Sequence, residues 1–287
     1  MKQTFKRLTP APLWNAASNT YWWFRNRGRH TLAQAFSPRF RASRARLDAI
    51  RNSHKGERCF IIGNGPSLRQ TDLTKLRNEF TFGLNRIYLI FPDLGFSTSC
   101  LVSVNDLVLE QCADEMKALD LPKYLTWRAR NWFSNDPQAV FVDTDFTGPE
   151  NFAADASGRV FEGFTVTYIA LQLAYHMGFS EVILVGVDHN FVTKGEANKA
   201  IVSQGDDPNH FAPNYFGKGF KWQLPDLDGS ERAYRLAKQA FEADGRRVLD
   251  ATVGGKLTIF PKVDYNSLFL DLGFAIYLTL DFRLILL

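Results

Sequence analysis

An α/β fold, a Rossmann-like and mostly parallel open sheet, follows from three features of the sequence. From about residue 57, short β-rich apolar runs alternate with helical stretches and turn residues, the rhythm of βαβ units. One such run, Cys59-Phe60-Ile61-Ile62, ends in the glycine turn Gly63-Asn64-Gly65-Pro66-Ser67. Another, residues 181–185, follows directly on a helix-period segment closed by Gly178, the pattern of a helix feeding a buried parallel strand.

Taken in order, strands are predicted at 58–62, 80–84, 100–104, 140–142, 181–185 and 247–249. A helix over 165–177 places Thr165, Ile169, Leu173 and His176 along one side, with Val166, Ala170 and Tyr175 beside them. A second helix over 228–244 takes Asp228 as N-cap and Glu231 as capping partner, with Ala233, Leu236, Ala237, Ala240 and Phe241 at helical spacing before Gly245. The polar stretch between them, 188–225, is too long for a plain connection. It is predicted to be a lid, because it carries Phe211, Tyr215, Phe216, Phe220 and Trp222.

These elements define a nucleotide-binding catalytic domain at 57–265, containing the lid, between an N-terminal arm at 1–56 and an apolar segment at 266–287. The 287 residues suffice to bury a full core, and 45% apolar, 14% aromatic and 22% charged residues exclude a disordered chain. The net charge of +4 is unevenly spread: residues 1–58 hold thirteen Lys/Arg and two acids, +11, which leaves −7 on the rest. Interleaved with Trp14, Tyr21, Trp22, Trp23 and Phe24, this basic arm suits anionic lipid head groups, each Lys or Arg adding roughly 1 kcal/mol. A solvated helical extension whose aromatics pack on the main domain is the alternative, and nucleic acid is not an expected partner.

The first thirty residues lack the continuous apolar core of a secretory signal, so the expected location is the cytoplasm, peripherally at the inner membrane face. Residues 267–287 are mostly apolar but interrupted by Asp271, Asp281 and Arg283. A spanning helix needs about 20 predominantly apolar residues, so a buried or an interfacial element is expected instead. Cys59, Cys100 and Cys112 have no metal-like spacing and read as buried small apolar residues in a reducing compartment.

The chemistry-bearing residues cluster after predicted strands. A strand ending in Gly63-Asn64-Gly65 lets backbone approach a ligand, and a helix opening at Pro66 would offer free N–H groups to phosphate, with Asn64 and Ser67 adding polar side chains. The absence of a third fingerprint glycine and of Gly-Lys-Ser/Thr argues against a nicotinamide dehydrogenase and a Walker-type phosphotransferase. Asn85 and Asn105, the latter followed by Asp106, end the next two strands, and in a parallel sheet they would converge beside the glycine turn, although each alone is also a good cap residue. Asp188, after the strand at 181–185, either ligates a metal, holds His189 or caps a turn. His210, in Asp206-Asp207-Pro208-Asn209-His210-Phe211, is a candidate general base worth roughly 10²–10⁴ in rate. Thr165, opening its helix, completes the nucleotide-binding set.

Together, Ile61-Ile62-Gly63-Asn64-Gly65-Pro66-Ser67-Leu68, the helix and strand from 165 to Asp188, and Asp207-Pro208-Asn209-His210-Phe211 resemble the MptE-like (6-hydroxymethylpterin diphosphokinase-like) superfamily, itself similar to bacterial lipooligosaccharide sialyltransferases. The resemblance covers 58–265, including Ala251-Thr252-Val253-Gly254-Gly255-Lys256-Leu257. It implies a GT-A-like variant without a metal-binding Asp-x-Asp, so no cofactor is expected. It implies a CMP-linked sugar held at Asn64, Ser67, Asn85 and Asn105, and His210 as base toward an acceptor hydroxyl. The sialyltransferases carry leaving-group tyrosines after the Gly-x-Asp strand. Here His189 and Phe191 stand there, with Tyr215 the nearest lid tyrosine, so Asp188, His189 and Tyr215 join His210 as catalytic candidates.

The expected function is therefore a glycosyltransferase of cell-surface glycan assembly, with a nucleotide-sugar donor and a glycan or lipid-linked acceptor. A pterin-type diphosphokinase, requiring ATP and Mg²⁺ at Asp106 and Asp188, is the first alternative. A membrane-docked scaffold without catalysis is the second.

Overall fold

The computed structural model describes residues 36–146 and 151–270. The expectations for 1–35 and 271–287, most of the basic arm and of the apolar tail, lie outside the described residues.

The strands are β1 (Arg58–Ile62), β2 (Phe80–Leu84), β3 (Cys100–Ser103), β4 (Lys123–Thr126), β5 (Ala139–Asp145), β6 (Arg159–Phe161), β7 (Glu181–Val185), β8 (Ala200–Val202), β9 (Lys221–Gln223) and β10 (Arg247–Asp250). Eight of them form one sheet in the order β10-β7-β1-β2-β3-β4-β5-β6, with every neighbouring pair parallel, while β8 and β9 form a separate antiparallel pair. This is the Rossmann-like α/β architecture expected from the sequence.

The apolar runs are continuous because both faces of the sheet are covered. Successive side chains of β1 alternate between two cores: Cys59 and Ile61 enter one, Phe60 and Ile62 the other. The helices are α1 (Pro38–Ala49), α2 (Phe91–Leu94), α3 (Asp106–Gln111), α4 (Ala113–Lys117), α5 (Val166–Met177) and α6 (Leu227–Ala243). Helix α5 crosses β1, β2 and β3 and packs against α6, which explains its burial on nearly all sides. Thr165 caps its start by accepting from the Thr167 N–H, and Gly178 closes it with φ 92°.

Helix α1 lies within the expected arm yet is docked on the domain. Phe40 and Leu47 are buried, and Arg39 and Arg46 donate to carbonyls of Arg130, Phe133, Pro137 and Ala139 beside β5. Among the described residues no helix is long and apolar enough to cross a membrane.

Two expectations are corrected. Strands β4, β6, β8 and β9 were not predicted: Lys123 disguises β4 as a polar segment although it is wholly buried, and the other three have three residues each. Helix α6 is capped by Asp226, whose Oδ1 accepts from the Gly229 N–H at 2.8 Å, rather than by Asp228. Glu231 instead faces His189 and Arg235. In the segment 188–225, Phe211, Tyr215, Phe216 and Trp222 are buried in the second core.

Candidate active site

Successive connections step away from β1 toward β6, and the chain then returns to place β7 on the other side of β1. The carboxyl ends of β1 and β7 therefore flank the reversal of strand order, where open parallel sheets take ligands. A cavity of about 170 Å³ opens there, bounded by Gly63, Asn64, Asn85, Thr165, Asp188 and His210. A larger one of about 600 Å³ adjoins it over β3 to β6, bounded by Asn105, Asp106, Arg128, Glu162, Asn198 and Gln223. Phe164 borders both.

The glycine turn joins β1 to β7. The Gly63 N–H donates to Val185 O at 2.8 Å and the Gly65 N–H to Gly186 O at 2.9 Å. The Ser67 N–H and hydroxyl both donate to the Asp188 carboxylate, at 3.1 and 2.6 Å. These donors are spent on stitching β1 to β7, and Pro66–Gln70 is a short 3-10 turn rather than a helix. A Cβ on Gly65 would overlap the Asp188 carboxylate, and one on Gly63 would overlap Gly186, so the glycines permit the two strand ends to touch. Burial pushes the Asp188 carboxyl above its usual range, with the Ser67 bonds opposing.

Asn64 Nδ2 donates to Leu84 O at 3.0 Å, whereas its Oδ1 is buried and accepts nothing. Such an acceptor takes a hydroxyl, amine or water donor and not an ionised phosphate, which has only acceptor oxygens. Asn85 stands with φ 47° at the end of β2, its Oδ1 accepting from Ser103 Oγ at 2.9 Å. The expected convergence of Asn85 and Asn105 is corrected. Asn105 borders the larger cavity and its Oδ1 caps α3, accepting from Leu107 and Val108 N–H at 3.0 and 3.3 Å.

Asp106 accepts from Arg128 Nε through both oxygens, at 3.0 and 3.1 Å, and Arg128 Nη1 lies 2.8 Å from Glu162. Burial pushes the Glu162 carboxyl up, and the Arg128 guanidinium opposes it. Asp106 and Asp188 line different cavities and both are already engaged, so they do not fit a shared Mg²⁺ site. Among the described residues no group of three His, Cys, Asp or Glu is arranged for a metal ion.

His210 reaches the cavity from the lid segment. Its Nδ1 lies 2.7 Å from Asp207 Oδ2, and because an ionised carboxylate only accepts, Nδ1 carries the proton and the neutral ring keeps Nε2 as an acceptor. The ring stacks on Tyr215 at 4.0 Å and 6°. Arg69 donates to the His210 and Phe211 carbonyls at 2.9 and 2.7 Å, and the Phe211 N–H donates to Asn64 O at 2.9 Å, which pins this loop to the glycine turn. Tyr215 is corrected from a leaving-group assistant to a support. It is wholly buried, burial pushes its phenol up, and its hydroxyl accepts from the Arg86 N–H at 3.2 Å. His189 turns toward α6, its Nε2 3.1 Å from Glu231 Oε1.

Asp207 and Arg69 were missed as site residues. Asp207 has a legible signal, three residues before the histidine in a Pro-containing loop. Arg69 has none, since its acceptors lie more than a hundred residues away in sequence.

A family model described as 6-hydroxymethylpterin diphosphokinase MptE-like matches residues 39–194, more than half of the chain. The chain belongs to the MptE-like family. The match takes in β1 through β7 and ends before His210. The curated proteins contain no match. Among solved structures this MptE-like chain is similar to the MAf glycosyltransferase from Magnetospirillum magneticum AMB-1, at 14% identity and a TM-score of 0.44, covering 81% of this chain and 39% of that one.

Proposed function

We propose that the chain is a glycosyltransferase that takes a nucleotide-activated sugar at the β1–β7 crevice and passes the sugar to a hydroxyl of a glycan or lipid-linked acceptor. The observation that carries this reading is the Asp207–His210 pair, an oriented imidazole beside the cavity at the reversal of strand order.

In this reading His210 Nε2 removes the acceptor proton while the acceptor oxygen attacks the anomeric carbon. The bond from that carbon to the phosphate oxygen breaks, the nucleotide leaves as the phosphate anion, and the proton passes from His210 to solvent. Asp207 holds the imidazole in the tautomer that can accept and stabilises its charge. The orphan Asn64 Oδ1 receives a sugar or ribose hydroxyl. Thr165 to Thr167, at the N-terminus of the twelve-residue α5, border the cavity and suit the phosphate, to which the helix dipole adds about 0.3–1 kcal/mol. A CMP-linked donor is the version the sialyltransferase resemblance favours, and the basic N-terminal arm would bring the protein to a lipid-linked acceptor.

The experiment is donor turnover by wild type, His210→Ala and Asp207→Asn with a panel of CMP-, UDP- and GDP-sugars. We expect His210→Ala to lose about 10²–10⁴ in kcat with donor affinity retained. Unchanged turnover would remove His210 as the base. The family's descriptive name keeps a diphosphokinase as the rival, and Mg²⁺-dependent ATP binding without any nucleotide-sugar binding would select it.

A further inference from the structure

We propose that the ring of Phe164 is the platform on which the donor's nucleobase stacks. The inference rests on the donor reading above and adds where the base lies. A cavity of about 170 Å³ at the β1–β7 crevice is too small for a nucleotide sugar, since sites for drug-sized ligands run from about 300 to 1,000 Å³. A donor anchored there has to extend into the adjoining cavity of about 600 Å³, and Phe164 is a residue that borders both.

Phe164 is set at that junction by a strained turn. The Thr165 N–H donates to Glu162 O at 3.1 Å, and the two residues between them, Gly163 and Phe164, have φ of 53° and 62°. Left-handed backbone at both central positions is the mark of a primed turn, normally filled by Gly, Asn or Asp. A bulky residue there is an outlier, and such outliers persist where the surroundings over-determine them. Helix α6 supplies that constraint. A Cβ on Gly229 would lie 2.6 Å from Phe164 Cδ2, so the ring rests directly on the helix, and the Arg232 guanidinium lies 5.8 Å from the ring centre. Backed in this way, Phe164 is nonetheless 41% exposed as a residue.

A large aromatic side chain held in an unfavourable backbone conformation, rigidly backed and open to the cavities, is built for a planar partner. Stacking would be tolerant of base identity, because every base presents a π-face. Asn198 and Gln223 also border the larger cavity, where Asn198 Nδ2 donates to Asp226 Oδ2 at 3.4 Å and Gln223 Oε1 accepts from Asn105 Nδ2 at 3.2 Å.

The test is calorimetric binding of AMP, CMP, GMP and UMP, and of ribose 5-phosphate as a probe without a base, to the full chain and to Phe164→Ala, Phe164→Leu and Phe164→Trp. Each nucleotide that binds wild type should bind Phe164→Ala about tenfold to a hundredfold more weakly. Phe164→Leu, which keeps bulk without a plane, should behave as the alanine variant. Phe164→Trp should retain affinity and show quenched indole fluorescence on binding, while ribose 5-phosphate affinity stays within about twofold throughout. Nucleotide affinity unchanged in Phe164→Ala, or an equal loss for ribose 5-phosphate, would overturn the stacking role and leave the donor reading intact. A wild-type chain that binds no nucleotide would overturn both.

Discussion

Replacing Gly65 with alanine tests whether the glycine turn exists to join two strands or to admit a phosphate. Gly65 has φ −70° and ψ 159°, which alanine adopts freely, so any loss is steric rather than conformational. The added methyl would overlap the Asp188 carboxylate and would also approach Gly186 O to 2.9 Å. Displacing the carboxylate breaks its bonds from the Ser67 N–H and hydroxyl. Hydrogen bonds to a charged group contribute about 1.5–3 kcal/mol each, so Gly65→Ala should cost about 3–6 kcal/mol.

Asp188→Ala breaks the same two bonds and should cost a similar amount. In the double variant no carboxylate remains for the methyl to strike and only its approach to Gly186 O persists, so adding Gly65→Ala to Asp188→Ala should cost much less than Gly65→Ala alone. Urea unfolding at near-neutral pH, with m-values compared, measures all three. The expected coupling is about 3 kcal/mol. Costs that add to within about 0.5 kcal/mol would refute the argument, because independent sites add that closely.

Two further outcomes follow from the packing. Lys123 and Asp136 have side chains 0% and 2% exposed and sit 3.1 Å apart, so Lys123→Met leaves a buried carboxylate uncompensated and should lower unfolding free energy by about 3–5 kcal/mol; a cost below about 1 kcal/mol would be incompatible with that burial. Asp155 is pushed up by partial burial but more strongly down by hydrogen bonds from Arg51 and Ser157, to about 2 from an ordinary 3.8. A depressed carboxyl stabilises the fold above its unfolded value and loses that contribution as pH falls through its folded one. Acid unfolding monitored between about pH 4 and 2 should therefore be less steep in Arg51→Ala. Since the Asp155 side chain is 49% exposed, solvent screening keeps the effect below about 1 kcal/mol.

Much of the fold was legible because buried parallel strands and their helices leave strong local patterns. Residues 58–62, 80–84 and 181–185 were predicted with the bounds they have, since each is an apolar run closed by a turn residue. Helix α5 was closed where Gly178 stands, visible as a left-handed terminal glycine, while Thr165, read as its first helical residue, caps it instead. Strand β4 was not legible, because the lysine that opens it is neutralised by Asp136, thirteen positions further on.

The sequence by itself determined the parallel α/β class, the position of the glycine turn and the histidine in the lid segment, because these rest on period, glycine and residue type over short spans. Only the tertiary structure decided what the turn's donors do. Asp188 lies 121 positions from Ser67 and meets it only because β1 and β7 become neighbours. The same holds for Arg69 clamping the His210 loop, for the parting of Asn85 and Asn105 into two cavities, and for Phe164 standing between them. Each depends on strand order, which follows from how the whole sheet buries both faces and leaves no signature in any local stretch of chain.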